Sequence, residues 1–413
     1  MSLSRQQESP ALLHSETRPA PALPRARQEG RLLQGSLLSA GMLVVMANAS
    51  LSPALPELRA AFSDASDLQV RMILTLPALA IVLTSPFAGW AADRFGRKRL
   101  LILSALVYGL AGASGYLATD IGMMLAGRGL LGMSMAGLMT CVSTLVVDYF
   151  SGASRARFMG LQAAVGGLGG GFFLVLAGVL AETGWQQTFL MYLVALLLLP
   201  FLVTSLFEPG RSGATRSAEK LPGITAPLWR LALFTFLMVG FNQAVFNLVP
   251  LQLPFLLRTR FDATSTENGL MIGVLALFFS LGALVYGHLG TRVAHIPLAG
   301  ASLALMGGSY VLVALATESA PVYAAMVLCG LSLGLFMPNI QLMLANGAPQ
   351  ALRGRLMGGY SACLYLGQFV SPLALEAMGT GTATAVVWLN LGFVTLLAGA
   401  ILVLLRSQIE RLI

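Results

Sequence analysis

A soluble chain of 413 residues would divide into two or three domains, yet here 56% of residues are apolar, only 10% are charged and the mean hydropathy is +0.79. A water-soluble fold has too little core for that much apolar surface, so lipid must solvate much of it, as in a polytopic membrane protein. The net charge of +8 comes from bases scattered singly between apolar segments. With no basic face and no interleaved aromatics, it argues against nucleic acid as a partner.

Residues 1–31 are polar, rich in Pro, Arg and Ser, and lack the apolar middle of a signal peptide, so they read as a disordered cytoplasmic tail. Apolar stretches of about 20 residues follow, the length a helix needs to cross a bilayer. Twelve are predicted, at 35–56, 70–92, 100–119, 122–146, 157–181, 186–207, 228–252, 268–287, 296–316, 321–345, 356–378 and 383–405. Their continuous Leu, Ala, Val and Gly content points to helices rather than alternating barrel strands, so the predicted fold class is all-α with twelve transmembrane helices. Cys141, Cys329 and Cys363 fall singly inside these runs, and His14, His288 and His295 form no cluster. Buried structural thiols follow, and no disulfide, metal or cofactor is implied.

The placement of Lys and Arg sets the orientation. With the N-terminus inside, twenty of the 25 bases fall on cytoplasmic segments, while Arg59, Arg71, Arg258 and Arg260 fall outside and Arg128 lies within a span. This asymmetry predicts a multi-pass protein of the cytoplasmic (inner) membrane with both termini cytoplasmic, and it supports an even number of spans. Between spans six and seven, "EPGRSGATRSAEKLPGITAP" forms a central loop at 208–227 that separates residues 32–207 from 228–408. The two blocks repeat. Span five opens "RARFMGLQAAVGGLG" and span eleven "RGRLMGGYSACLYLG"; an offset of 198 pairs Arg155 with Arg353, Arg157 with Arg355, Met159 with Met357, Gly160 with Gly358 and Gly169 with Gly367. A parallel repeat of two six-helix halves is a transporter pattern, with the substrate site expected between the halves near the midplane.

Charge concentrates in "GWAADRFGRKR", residues 89–99, between spans two and three. Gly89 lets a neighbouring helix approach. Asp93 can accept hydrogen bonds from the free N–H groups at a helix start. Arg94 and Arg97 can reach carboxylates at other cytoplasmic ends, with Asp148 the obvious partner. Here the chain resembles the major facilitator superfamily, whose signature reads G-x-L-A-D-R-x-G-R-K. Gly89, Ala92, Asp93, Arg94, Gly96, Arg97 and Lys98 match it, with Ala91 where Leu is usual. The resemblance extends over roughly residues 32–408. It implies that Gly89, Asp93, Arg94, Gly96, Arg97 and Asp148 form a latch, closing the cytoplasmic side against span eleven when the carrier opens outward. Orientation alone would explain Arg97, Lys98 and Arg99, but not Asp93 or the glycines. The matching loop of the second half, "YGHLGTR", keeps Gly290 and Arg292 but has Gly287 where Asp93 would align, and Asn346 aligns with Asp148. A charged latch is therefore expected in the first half only.

Arg128 stands alone in span four. A lone Arg within a span costs about 2.5–3.5 kcal/mol on insertion scales, which makes a functional role the default; snorkelling to the interface is the alternative. The resemblance adds that Arg128, Gly132 and Gly137 match the family's second motif, whose Arg is associated with proton transfer in proton-coupled exporters. Pairing with an anionic substrate is a further role for it. The family's antiporter motif in span five is degraded: Gly160, Gly169 and Gly178 are present, but Phe173, Leu174 and Ala177 replace a Gly, the Pro and another Gly. The run "GGLGGG" at 166–171 has no preceding strand and no following Lys, so it reads as close helix packing rather than a phosphate loop.

No acid lies in the middle of a span; Glu57, Glu182 and Glu376 fall near outer ends. With no nucleotide-binding segment, direct ATP drive is excluded, and protons are the coupling ion that the resemblance favours. Polar cavity candidates are Asn48 in span one, Gln243 and Asn247 at i, i+4 in span seven, Asn339 in span ten, and Tyr365 and Gln368 at i, i+3 in span eleven. Each reads equally well as a helix–helix hydrogen bond. Phe241, Phe246 and Phe336 suit an amphipathic or aromatic substrate, with core or lipid-facing positions the commoner case. The expected protein is not an enzyme. It is a monomeric secondary transporter working by alternating access, most consistent with proton-coupled efflux of a drug-like compound or metabolite. Proton-coupled uptake of an organic anion or other nutrient is the alternative. A non-transporting sensor is remote, given the short central loop and the intact latch signature.

Overall fold

The computed structural model of the chain describes residues 30–208, 225–289, 293–378 and 384–412. The tail, most of the central loop, and Gly290 and Arg292 of the second-half loop lie outside the described residues. The spanning helices, in chain order, are α1 (Arg31–Ala49), α2 (Asp67–Phe95), α3 (Arg97–Ala113), α4 (Ile121–Tyr149), α5 (Gly152–Thr183), α6 (Val194–Ser205, entered through Gln187–Leu190), α7 (Ala226–Phe246), α8 (Ser265–Leu289), α9 (His295–Leu315), α10 (Ser319–Gly347), α11 (Gln350–Ala377) and α12 (Thr384–Leu404). Among the described residues, 11 helices are both long and apolar enough to cross a membrane. The remaining one, α11, has the length at 28 residues, but Gly358, Gly359, Tyr360, Ser361, Gln368 and Ser371 lower the apolarity of its middle. Exposed Leu197, Phe393 and Leu404 on the outer surface fit lipid rather than water as their solvent.

Two spans depart from their expected edges. Past Ala49, the first resumes as a 3-10 turn at Ser52–Ala54 and a short helix at Leu55–Ala61; past Asn247, the seventh continues as Leu248–Phe261, well beyond the expected end at 252. Prolines explain both restarts. Pro53, Pro56 and Pro250 sit in first turns, where a missing N–H is harmless but where a continuous helix would have been interrupted. The restarts meet: the Ser52 hydroxyl donates to the Pro250 carbonyl at 2.7 Å. These residues are 198 apart, the offset of the sequence repeat, so the contact lies on the relation between the two halves.

That bond belongs to a wider rule. Pro254 cannot donate, which strips the Pro250 carbonyl of its helical partner, and Ser52 replaces it. Pro372 in α11 likewise frees the Gln368 carbonyl, which accepts from Ser371 Oγ on its own helix at 2.7 Å and from Asn247 Nδ2 of α7 at 3.2 Å. Pro77 in α2 frees the Ile73 carbonyl, which accepts from Arg128 Nε at 2.7 Å. An unpaired carbonyl in a dry bundle costs several kcal/mol, so a polar side chain on a neighbouring helix is the compensation.

The halves pack as equivalents. In the first, α2 and α3 pack on α4; in the second, α8 and α9 pack on α10. Across the halves, α5 meets α8 and α2 meets α11. Where backbones touch, side chains are absent: Gly300 and Gly307 of α9 face Gly399 and Gly392 of α12 so closely that a Cβ would lie 2.6–3.0 Å from the opposing carbonyls. The 166–171 glycines do the same work, with Gly167 on Ser280 of α8, Gly170 on Val45 of α1 and Gly171 facing Gly273 of α8.

Candidate functional site

Because the helices alternate in direction, the starts of α1 and α3, the end of α4, Glu208 and the start of α11 share one face, called terminal here; the opposite face is distal. At the terminal face, Gly96 joins α2 to α3 with φ 99° and ψ 145°, a conformation that favours glycine. The free N–H groups of α3 that this turn presents are taken by Glu208: Arg97 N donates to Oε1 at 2.7 Å and Lys98 N to Oε2 at 3.0 Å. A Cβ on Gly96 would lie 2.8 Å from that carboxylate. The expected helix-start acid, Asp93, does not occupy this position. Its side chain is 75% exposed and lies 3.9 Å from Arg97.

The Arg97 guanidinium bonds directly to Asp148 at the end of α4. Arg94 lies over the rings of Trp90 and Phe95 at 5.5 and 6.0 Å. Glu208 is the participant that sequence reasoning missed. Its only signal was an acid at the end of span six, directly before Pro-Gly. Replacing Glu208 with Ala should lower stability by about 1 kcal/mol through loss of the α3 cap. A thermal melt of purified protein checks this, and an unchanged melt would rule out a stabilising cap.

In the bundle, Arg128 is only 3% exposed, so it does not snorkel to an interface. Besides the Ile73 carbonyl, it donates to the Tyr192 hydroxyl at 2.7 Å and lies 5.7 Å from that ring. The same hydroxyl meets Ser50 Oγ at 2.5 Å. The network ties α1, α2, α4 and the entry to α6 together through a base with no acid bound to it among the described residues.

The cavity candidates separate. Asn339 is fully buried and pairs with the first residue of α9: its Oδ1 meets His295 Nδ1 at 2.8 Å, and its Nδ2 donates to the His295 carbonyl at 2.7 Å. It therefore joins two helices of one half instead of facing a cavity. Asn247 is committed to α11, to the Gln368 carbonyl and to Ser371 Oγ at 2.9 Å. Gln243 is buried with its Oε1 unpartnered among the described residues. The Tyr365 hydroxyl reaches Met139 Sδ at 3.2 Å, linking α11 to α4 across the halves. The Gln368 side chain is half-buried. Phe336 is fully buried in the core, whereas Phe241 and Phe246 are partly exposed. Asn48 has its backbone in α1, but its side chain lies outside what the structure describes.

The four helices that meet across the halves show which face is open. Distally, Gly178 of α5 touches the Ser265 backbone and Gly269 of α8 touches the Leu174 backbone. At the terminal end, Gly89 of α2, Gly160 of α5, Gly287 of α8 and Gly358 of α11 have open space where a Cβ would lie, with no neighbouring atom within 4 Å. The halves are closed distally and parted terminally. A two-half bundle open to one face and closed to the other is the arrangement of a membrane transporter.

The description "Major Facilitator Superfamily" fits residues 37–372 and again 232–411. The chain belongs to that superfamily, which comprises transporters rather than enzymes. It is 28% identical over 339 residues to the class C tetracycline resistance protein of Escherichia coli, covering 80% of this chain and 85% of that protein. It is also 28% identical over 360 residues to the 3-(3-hydroxy-phenyl)propionate transporter of Escherichia coli K12, covering 84% and 86%. The bacillibactin exporter of Bacillus subtilis is 34% identical over 131 residues, with the match spanning 30% of this chain and 32% of that protein. The solved D-xylose-proton symporter superposes with a TM-score of 0.77 at 14% identity, covering 90% and 96%, which speaks for the fold alone.

Proposed function

We propose that this chain exports an apolar or amphipathic organic compound, drug-like or a metabolite, in exchange for protons across the cytoplasmic membrane. The terminal face and both termini are cytoplasmic in this reading, which the base distribution supports. One six-helix unit, 32–207, rocks against the other, 228–408, and the protein acts as a monomer. Arg128 carries the choice of cargo: buried against the Ile73 carbonyl and the Tyr192 hydroxyl, it is not offered as a counter-ion to an organic anion. The tetracycline resistance protein, matched over most of its length, supports export. Uptake of an aromatic acid is favoured instead by the equally long match to the hydroxyphenylpropionate transporter. At the terminal face, Gly89, Asp93, Arg94, Gly96, Arg97 and Asp148 act as the latch that forms when that face closes on α11. Gln243, Tyr365 and Gln368 are the polar groups offered to cargo.

Proteoliposomes separate the two directions. Proton movement should follow addition of a neutral or cationic lipophilic compound, and an overproducing strain should tolerate more of that compound. Accumulation of labelled 3-(3-hydroxyphenyl)propionate, with no proton signal from any lipophilic compound, would establish uptake instead.

A further inference from the structure

At the distal face, the first turn of α8 is held by the opposite half. Glu57, on the short helix Leu55–Ala61, accepts from Ser265 Oγ at 2.8 Å. Glu182, at the end of α5, accepts from Thr266 N at 3.2 Å. Two carboxylates from one half thus bracket the start of a 25-residue helix in the other, where the helix dipole and unpaired N–H groups favour negative charge. The second Glu57 oxygen, Oε2, is buried and unpartnered among the described residues. A base, Arg258, lies 3.9 Å from Oε1. The other charges nearby are occupied: Arg59 pairs with Asp67 at 2.7 Å, Arg71 reaches Glu376 at 3.8 Å, and Glu267 accepts a local capping bond from Thr264 N.

We propose that Glu57 and Glu182 are the outer gate of this carrier, a clasp on the start of α8 that must release before the distal face can open. The glycine contacts between α5 and α8 give the closed face its fit, but they are uncharged and non-specific. The two carboxylates supply the directional, breakable part. The assignment rests on the alternating-access reading and adds to it the residues that hold the distal face shut.

The test is conformational and needs no substrate. In full-length protein with Cys141, Cys329 and Cys363 replaced by Ala, Asn268→Cys gives a reporter. Asn268 is 1% exposed and lies about one helical turn past Ser265. A membrane-impermeant maleimide applied from the distal side should react slowly. Glu57→Gln should raise that rate by about tenfold, as expected for loss of a charge-assisted bond, and Glu182→Gln, whose carboxylate is exposed and screened by solvent, should raise it by a smaller factor. Ser265→Ala removes the same bond from the other partner. It should match Glu57→Gln, and the double variant should gain nothing further. Unchanged labelling in Glu57→Gln, Glu182→Gln and Ser265→Ala overturns the clasp, and so does full additivity of the Glu57–Ser265 pair. Proton flux measured on the same preparations keeps the two readings apart. Faster labelling without flux in the parent leaves the clasp standing and removes proton coupling, whereas flux with unchanged labelling does the reverse.

Discussion

Replacing Arg128 with Met should abolish transport and destabilise the protein, and adding Pro77→Ala should recover the stability without recovering the transport. The reasoning starts from backbone chemistry. Pro77 leaves the Ile73 carbonyl without a helical donor, and Arg128 Nε fills the gap at 2.7 Å in a site where Arg128 is 3% exposed. Methionine matches the volume and removes the donor, so the carbonyl is stranded in an apolar surrounding at about 1–3 kcal/mol. Ala at position 77 restores an N–H to the same carbonyl from within α2, and it removes the reason for a side-chain donor. The two substitutions should therefore couple by about 1–2 kcal/mol in a double-mutant cycle of thermal unfolding. Transport should stay absent, because Arg128 also fixes Tyr192, whose hydroxyl meets Ser50 where α1 ends. Strictly additive unfolding changes would show that Arg128 does not serve that carbonyl. Restored transport in the double variant would show that its role ends there.

The same residues mark how much of the fold and site could be read from the chain alone. The spans and the repeat were legible because a bilayer imposes length and apolarity on each segment separately, and those properties need no partner. The helix restarts at Ser52 and Leu248 were readable only as prolines, and span seven was drawn too short in consequence. Pairings were legible where one connection held both acid and base within reach of a known neighbour, as with Arg97 and Asp148. They were hidden where the partner lies far along the chain. Glu208 caps a helix that starts 111 residues earlier, and Tyr192 receives Arg128 from 64 residues away. A partial rule was available: a proline inside a span frees the carbonyl four residues back, and at three of the six such prolines among the described residues a side chain on another helix donates to it. Applied to Pro77, Pro254 and Pro372, it points to Ile73, Pro250 and Gln368, the carbonyls to which Arg128, Ser52 and Asn247 donate. Asn247 then reads as a helix tie before any cavity is considered, whereas the tie of Asn339 to His295 has no such signal.

Asp93→Asn should leave the fold intact and reduce transport to below about a tenth of the parent rate, the loss that a single charge-assisted contact can account for. In the terminally open state, the Asp93 side chain is 75% exposed, and its approach to Arg97 is 3.9 Å. An exposed pair of that kind contributes about 0–1 kcal/mol, so unfolding of Asp93→Asn should stay close to the parent. In the proposed latch, the charge would matter once a neighbouring helix closes on Gly89, which has open space around it here, and brings Asp93 to a helix start. Arg97→Gln is the informative contrast. Arg97 is engaged in the open state itself, bound to an Asp148 side chain that is only 22% exposed. Its replacement should therefore lower both stability and transport. A reconstituted Asp93→Asn protein that transports at the parent rate would separate this acid from the closing step. Loss of transport with an unaltered melt would place Asp93 in the closed state alone, as a group whose partner exists only after the two halves have moved.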